Sequence, residues 1–273
     1  MATVNVNGTS LYYREAGSGE PLLLIPGTAF TADVWDKVFD ALARDYRTIA
    51  YDRRAYQRSK GSPPPTEDYT RQQGEDIAAL LQAVNAIPAN LLGWSAGCIY
   101  ALYATLIHPN CVKHLLLYEP PLYLLRYVEF SGFQTLITMN VLKVMGRKQA
   151  AVETFLRSVL VYDDGRNSYD HLSPELRAQV AANTDTILAE LAGLTRDALK
   201  NEPKPDLLST QVRVSATLLM GKQSPLPMKK AGENLARILH NAPIIWLPES
   251  SHLAQIDQPE RFVEAVQGAL AQR

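Results

Sequence analysis

Continuous apolar runs constrain the fold of this chain more than any other sequence feature. "PLLLIPG" (21–27), "ANLLGWSAG" (89–97) and "VKHLLLYEP" (112–120) contain apolar stretches without the alternation that a half-exposed strand shows. Such stretches are typical of strands that are covered on both faces, as in a parallel sheet. Apolar residues at helical spacing separate them, so the sequence predicts an α/β fold.

The alternation of strand and helix extends over most of the chain. Asn7-Gly8 lies between alternating apolar residues, which is the signal of a β-hairpin that adds antiparallel strands at one edge. Further strands are predicted at "YRTIAYD" (46–52), "RVSATLLMG" (213–221) and "APIIWLP" (242–248). The sequence therefore predicts a mostly parallel eight-stranded sheet with helices on both faces.

One long segment, about 122–205, interrupts this order. It contains helical patterns such as "KQAAVETFLRSVL" and "SPELRAQVAANTDTILAEL", and no convincing strand. Ser173-Pro174 is a good helix start, because serine caps the first turn and proline fits the first helical position. We expect residues 122–205 to form a helical cap inserted into a core domain made of residues 1–121 and 206–273.

The composition is that of an ordinary globular protein. The 273 residues are 47% hydrophobic and carry a formal net charge of −1, which gives no electrostatic case for nucleic acid or an anionic membrane. The N-terminus lacks a signal-peptide pattern, and no apolar run approaches the roughly 20 residues that a membrane span needs. Cys98 and Cys111 are too few for a disulfide framework and have no metal-ligand neighbours. We expect a cytoplasmic protein without nucleic-acid or membrane partners, whether a monomer or a homodimer.

"GWSAG" (93–97) carries the first candidate catalytic residue, Ser95. It follows a predicted strand and opens a predicted helix, "AGCIYALYATLIHP". A sharp turn between strand and helix strains the central serine and exposes its hydroxyl, and the flanking glycines allow strand and helix to pass closely. A plain turn with a capping serine is the structural alternative. The context favours a nucleophile, which needs a neighbouring base to take its proton.

His252 is the histidine best placed to be that base. It lies in "LPESSHLAQIDQPERF" (247–262), between the last predicted strand and the last predicted helix. In a parallel sheet this loop lies at the same carboxyl edge as the turn around Ser95. Structural roles are favoured for the other histidines, which are His108, His114, His171 and His240.

The combination of these motifs resembles the α/β-hydrolase superfamily over essentially the full chain. The resemblance implies a catalytic pair of Ser95 and His252, and an oxyanion hole made by the backbone N–H groups of Thr28 and Ala96. The side chain of Thr28 either adds a donor or caps the helix that begins near residue 31. The resemblance is carried by "IPGTAF" (25–30), "YDRR" (51–54), "GWSAG", "LIHPNCVKHLLLYEPP" (106–121) and "SHLAQIDQPERF" (251–262).

Two departures from the superfamily pattern concern the oxyanion loop and the triad acid. Many members begin the oxyanion loop with His-Gly, where this chain has Pro26-Gly27. Many members carry the acid as Asp after the seventh strand, where "MGKQSPLP" places Ser224. Serine holds no negative charge and cannot stabilise an imidazolium as a carboxylate does. Zearalenone-type lactonases and some dehalogenases take their acid from the end of the sixth strand, which is the position of Glu119.

Glu119 is therefore the predicted triad acid. A carboxylate at the end of a buried strand is costly unless it is paired, and the histidine N–H would supply the partner. A glutamate paired with an arginine is the structural alternative. Two rivals for the acid are weaker: Glu249 shares the histidine's loop but is expected to point elsewhere, and Asp52 is expected to shape its own turn with Arg53.

The resemblance implies a serine hydrolase that cleaves a carboxylic ester or lactone through an acyl-enzyme, without a metal or organic cofactor. The expected substrate is a hydrophobic molecule of small to medium size. Two alternatives stay open: a non-hydrolytic tailoring enzyme (a cyclase, acyltransferase or cofactor-free oxygenase) and a ligand-binding, receptor-like protein. Aromatic residues at helical spacing also pack as core, but the predicted substrate contacts are Trp94, Tyr123, Tyr127, Phe130 and Phe133.

Overall fold

The computed structural model describes residues 2–127 and 130–271, and the side chains of Phe130, Ser131 and Phe133 lie outside that description. Eight strands form one sheet: β1 (Ala2–Val6), β2 (Thr9–Ala16), β3 (Pro21–Ile25), β4 (Arg47–Tyr51), β5 (Ala89–Trp94), β6 (Val112–Tyr118), β7 (Ser215–Gly221) and β8 (Ile244–Leu247). Their spatial order is β1-β2-β4-β3-β5-β6-β7-β8. The β1–β2 and β2–β4 pairs are antiparallel, and the other neighbours are parallel. The predicted sheet is confirmed.

Helices cover both faces of this sheet. They are α1 (Asp36–Leu42), α2 (Tyr69–Ala83), α3 (Ala96–Ile107), α4 (Phe130–Val144), α5 (Lys148–Val159), α6 (Pro174–Ala182), α7 (Thr184–Lys200), α8 (Pro205–Gln211), α9 (Leu226–Ile238), α10 (Ala254–Asp257) and α11 (Pro259–Ala271).

Alternate residues of β3 pack to opposite sides: Leu23 joins the apolar cluster with α2 and α3, and Leu24 joins the cluster with α1 and α11. Burial on both faces explains why the strand sequences are continuously apolar. Among the described residues, no helix has the length and apolar character that crossing a bilayer requires.

The segment 122–205 lies between β6 and β7 in the chain. It contributes α4 to α7 and, in its described part, no strand of the sheet. The packing of α7 on α2 is close, since a Cβ on Gly193 would come within 2.5 Å of Cγ of Tyr69. The division into a 122–205 cap and a core of 1–121 and 206–273 remains a prediction.

The register of the parallel strands brings their carboxyl ends to one edge of the sheet. Ile25 is level with Gly93, Trp94 with Tyr118, and Tyr118 with Leu219. The loops that follow these strands therefore lie side by side, as expected for the ligand-binding edge of an α/β sheet. Gly221 of β7 is in turn level with Leu247 of β8, so the loop after β8 lies at the same edge. The loops of this edge hold the candidate residues Thr28, Ser95, Glu119 and His252, and also Ser224.

Candidate active site

Ser95 forms the turn between β5 and α3. Its φ of 54° and ψ of −123° lie in a region that costs a non-glycine residue about 1–3 kcal/mol. A Cβ on Gly93 would come within 2.6 Å of the Gly97 carbonyl oxygen, and one on Gly97 within 2.4 Å of the Ile25 carbonyl oxygen. The Ser95 N–H donates to the Tyr118 carbonyl at 2.9 Å, which ties the turn to the neighbouring strand. The turn has the strand, strained serine and helix of a nucleophile elbow.

Glu119 and His252, which follow different strands, contact each other in the interior. Oε2 of Glu119 lies 3.3 Å from Nδ1 of His252, and both side chains are almost completely buried. A carboxylate at Nδ1 holds the ring proton on that nitrogen and leaves Nε2 able to accept one. Within residues 2–127 and 130–271, no arginine pairs with Glu119, so the structural alternative does not describe this carboxylate.

The second carboxylate oxygen of Glu119 is held by two further donors. Oε1 accepts the N–H of Gly221 at 2.7 Å and the hydroxyl of Ser224 at 2.9 Å. Hydrogen bonds to a charged group are strong and compensate for the water that a buried carboxylate loses. Ser224, at the position where many superfamily members carry the acid, therefore binds the Glu119 carboxylate, which follows the adjacent strand.

Glu249 shares a loop with His252 but faces away from it. Its Oε2 lies 2.9 Å from Nη1 of Arg261, and the glutamate side chain is 69% exposed. Because the Glu249 carboxylate is exposed to solvent and paired with Arg261, it does not contact the buried imidazole of His252. The geometry therefore agrees with the expectation that Glu249 points elsewhere.

Asp52 shapes the turn that follows it, as expected, but its partner there is Arg58, so the expected pairing with Arg53 is wrong. Oδ2 of Asp52 lies 2.7 Å from Nε of Arg58, and Oδ1 accepts the Ala32 N–H at 2.9 Å. Successive side chains of an extended chain point to opposite sides, which takes Arg53 away from Asp52. The turn that follows brings Arg58 back to the carboxylate instead.

Arg53 forms a buried ion pair with Glu190 of α7, which the sequence did not reveal. Nη1 lies 2.7 Å from Oε1 and Nη2 lies 3.2 Å from Oε2, and both side chains are fully buried. The hydroxyls of Tyr56 and Tyr100 donate to the same carboxylate. Burial, and then the charge of Glu190, raises the pKa of both phenols, so both stay protonated. We call Arg53, Glu190, Tyr56 and Tyr100 the Glu190 cluster.

Two aromatic side chains fix the loop that carries His252. Nε1 of Trp94 donates to the His252 carbonyl at 2.7 Å. The hydroxyl of Tyr118 donates to the Ser251 carbonyl and accepts the Ala254 N–H, the latter at 2.8 Å. The sequence does not single out Tyr118, because a buried tyrosine at a strand end looks like any core residue.

The backbone N–H groups of Thr28 and Ala96 are the predicted oxyanion donors. Within the described ranges neither N–H has an acceptor in the protein, although the two residues are only 6% and 2% exposed. Both N–H groups are therefore free to donate to an external acceptor. The Thr28 hydroxyl donates to Glu190 at 3.2 Å, and Thr31 caps the following helical turn by accepting the Asp33 N–H. The alternative of Thr28 as the helix cap is therefore wrong.

The predicted substrate-contacting residues have different surroundings. Trp94 is 1% exposed and packs against three other aromatic rings, including that of His252. Tyr123 is fully buried, and its hydroxyl donates to a backbone carbonyl. Tyr127 is partly exposed. The remaining two lie on α4, with side chains outside the described part: Phe130 and Phe133. Substrate contact remains a prediction for all five.

The groups at this edge of the sheet are of the kinds that acyl transfer uses. A serine hydroxyl, an imidazole oriented by a carboxylate, and two free N–H groups are the parts that this chemistry needs. Among the described residues, no three His, Cys, Asp or Glu side chains come together as a metal-binding group.

The fold of this chain is similar to that of known proteins. The fold is similar to that of a solved structure described as "Est816 as an N-Acyl homoserine lactone degrading enzyme", with a TM-score of 0.78 and 18% identity over 98% of this chain and 99% of that one. At that identity the likeness concerns the fold alone.

Two curated relatives are similar in sequence over part of their length. The hydrolase YraK of Bacillus subtilis is 31% identical over 118 residues, which are 43% of this chain and 44% of the relative. Serine hydrolase BPHL of Mus musculus is 31% identical over 124 residues, which are 43% of this chain and 42% of the relative. The match thus spans less than half of each relative.

The sequence model of the alpha/beta hydrolase family matches residues 22–265, which is most of the chain and includes every residue of the candidate site. With the fold and the elbow at Ser95, this match establishes the family. The chain belongs to the alpha/beta hydrolase family.

Proposed function

We propose that this protein is a serine hydrolase that cleaves a carboxylic ester or lactone through an acyl-enzyme. The observation that carries the proposal is the buried contact of 3.3 Å between Glu119 and His252. It lies at the same sheet edge as the strained turn of Ser95: the proposed nucleophile follows β5, the acid follows the adjacent β6, and the base follows β8. The names of the two hydrolase relatives support the same class of reaction.

The proposed reaction begins when Oγ of Ser95 attacks the carbonyl carbon and Nε2 of His252 takes the hydroxyl proton. The imidazolium that forms is stabilised by the carboxylate of Glu119 at Nδ1. The proton then passes to the departing alkoxide and an acyl-serine remains; an ester releases a free alcohol, whereas a lactone opens to a hydroxyacyl-serine. Water gives a proton to His252, attacks the acyl carbon and releases the acid, and the proton returns to Ser95.

Stabilisation of the tetrahedral intermediate falls to the N–H groups of Thr28 and Ala96. The carbonyl oxygen becomes negative on attack and accepts both hydrogen bonds. Removal of one such donor lowers kcat by about 10²–10³-fold in a well-studied serine protease. The donors are in place before the substrate arrives, so no reorganisation is needed at that step.

The proposed substrate is an uncharged, hydrophobic ester or lactone of small to medium size. The buried charges of Arg53 and Glu190 neutralise each other, so they offer no net charge to a charged substrate. The solved structure with a similar fold, Est816, is described as an enzyme that degrades an N-acyl homoserine lactone, so lactones belong in the set of substrates to be tested. The proposed contacts on the 122–205 segment are Tyr123, Tyr127, Phe130 and Phe133, with Trp94 beside the histidine.

A fluorophosphonate probe and a panel of p-nitrophenyl esters and lactones test the proposal. We expect stoichiometric labelling at Ser95, turnover of at least one class of substrate, and loss of both in Ser95→Ala. Labelling of Ser95 without turnover of any ester or lactone would contradict hydrolysis. That result would favour a non-hydrolytic tailoring enzyme or a ligand-binding protein.

A further inference from the structure

The carbonyl oxygen of Gly27 and the N–H of Thr28 belong to one peptide group. Nη2 of Arg53 donates to that oxygen at 2.9 Å, and the Phe30 N–H donates to it at 3.3 Å. A trans peptide is planar, with its C=O and N–H pointing in opposite directions. Holding the oxygen therefore fixes the direction of the Thr28 N–H, the proposed oxyanion donor.

The same contact strengthens the donor. A cation at a carbonyl oxygen draws electron density from the peptide nitrogen, and hydrogen bonds in series strengthen one another by about 10–30% per bond. Arg53 is fully buried, so its charge is little screened by solvent. The Gly27–Thr28 peptide is therefore both oriented and polarised before an oxyanion forms.

Glu190 determines where Arg53 points. The two N–O contacts use the fork of the guanidinium, which restricts its position more than a single contact would. The guanidinium carbon also lies 4.4 Å from the ring centroid of Tyr56 and 5.2 Å from that of Tyr100. Burial opposes the charge on Arg53, but Glu190 together with the surrounding tyrosines outweighs burial, and the pKa of the guanidinium is raised.

The Glu190 cluster also contacts the residues next to the peptide oxygen. The Thr28 hydroxyl donates to Glu190 at 3.2 Å, and the Ala29 N–H donates to the hydroxyl of Tyr56 at 3.3 Å. Three consecutive residues, 27 to 29, are thus each bound by a member of one cluster. The carboxylate at its centre comes from α7, whereas the other three side chains come from the loop after β4 and from α3.

We propose that Arg53 and Glu190 are positioning residues of the oxyanion hole. Glu190 holds Arg53, and Arg53 orients and polarises the Gly27–Thr28 peptide. This inference rests on the proposed function and deepens it, because oxyanion stabilisation then depends on a side chain of the 122–205 segment. The oxyanion exists only after attack, so loss of the pair lowers kcat and leaves KM nearly unchanged.

The test uses the double variant Arg53→Met/Glu190→Gln, which leaves no unpaired buried charge. Its matched control is Arg54→Met/Asp76→Asn. That variant removes the neighbouring buried ion pair, in which Nε and Nη2 of Arg54 lie 2.8 and 2.7 Å from the Asp76 carboxylate oxygens. Among the described residues, neither side chain of this pair bonds to residues 27–29. Glu190→Asp keeps both charges but shortens the side chain, and it takes the place of the double variant if that protein does not fold.

Two readouts are measured on each protein: steady-state kinetics on the best ester or lactone, and amide hydrogen exchange of residues 27–30 without ligand. We expect kcat to fall at least about tenfold in Arg53→Met/Glu190→Gln, with KM within about threefold of wild type. Exchange at 27–30 should be faster in the same variant. Glu190→Asp should change both readouts in the same direction but less, and the control should behave like wild type.

Unchanged kcat and unchanged exchange in the double variant of an otherwise active protein would overturn the positioning role and leave hydrolysis intact. An equal loss in the Arg54→Met/Asp76→Asn control would overturn it too, because any buried pair would then have the same effect. If the wild-type protein hydrolyses no ester or lactone, the proposed function fails, and the oxyanion role of the pair fails with it. Exchange then decides only whether the pair orders the Gly27–Thr28 peptide: faster exchange at 27–30 supports this, and unchanged exchange overturns it.

Discussion

Ser224 donates a hydrogen bond of 2.9 Å to Oε1 of Glu119, whose Oε2 lies 3.3 Å from the imidazole of His252. The position of Ser224 holds the acid in many members of the superfamily, and here it supplies a donor to an acid on the adjacent strand. The two positions are in direct contact, so a carboxylate at 224 would lie next to that of Glu119.

Ser224→Asp should damage the protein rather than improve it. A second carboxylate next to Glu119 raises the pKa of the pair, because two close negative charges cannot both form. A carboxyl group whose pKa is higher in the folded state destabilises the fold above its unfolded pKa of about 4. We therefore expect the Tm of the variant to fall below that of wild type as the pH rises from about 4 to 7, and turnover at pH 7 to fall at least about tenfold.

Thermal unfolding over that pH range and ester kinetics at neutral pH check this prediction, with Ser224→Ala as the control. The control loses one hydrogen bond, worth about 1 kcal/mol, and adds no charge. A marked gain of turnover in Ser224→Asp would show that Glu119 does not fill the acid role.

Tyr118→Phe should weaken both stability and catalysis. Its hydroxyl bridges the Ser251 carbonyl and the Ala254 N–H on either side of His252, and both backbone groups are left unpaired without it. We expect a loss of about 1–3 kcal/mol in the free energy of unfolding by urea, and a lower kcat because the histidine loop is less well held. Tyr103→Phe, which removes an exposed contact to the Asn201 carbonyl, is the control. Equal kcat for wild type and Tyr118→Phe would mean that the bridge does not position His252.

Alkaline pH should unfold the protein in step with the ionisation of its buried tyrosines. Burial raises the pKa of Tyr51, Tyr56, Tyr69, Tyr100, Tyr118 and Tyr123. Above the unfolded tyrosine pKa of about 10 the unfolded chain binds fewer protons, so stability is full below that pH and falls above it. Phenolate absorbance should rise in two phases, and the second should coincide with loss of circular dichroism. A single phase with unchanged circular dichroism would contradict this account.

The residues that could be predicted from the sequence are those marked by their immediate neighbours. Ser95 lies between two glycines at a strand-to-helix turn, and His252 lies in the loop before the last helix. Glu119 ends an apolar strand in front of two prolines. The continuous apolar strands likewise predicted the sheet, because burial on both faces leaves a direct trace in the sequence.

The residues that could not be predicted are those whose role depends on distant partners. Glu190 lies in "TILAELAG", where it resembles a solvent-facing helical glutamate, yet it pairs with Arg53 at a separation of 137 residues. Periodicity shows which residues share a helix face but not which loop that face will meet. The helix expected near residue 31 begins as a 3₁₀ turn, Ala32–Trp35, and its cap is Thr31 rather than Thr28.

Turnover by Glu119→Gln, with Glu249→Gln as the matched control, tests the central claim most directly. Glutamine keeps a carbonyl oxygen for the two donors on Oε1 but presents an NH₂ group to Nδ1 of His252. The ring proton must then move to Nε2, which can no longer take the proton of Ser95. We predict a kcat that is lower by about 10⁴-fold in Glu119→Gln and close to wild type in Glu249→Gln. Near-normal turnover in Glu119→Gln, with an inactive Glu249→Gln, would contradict the account.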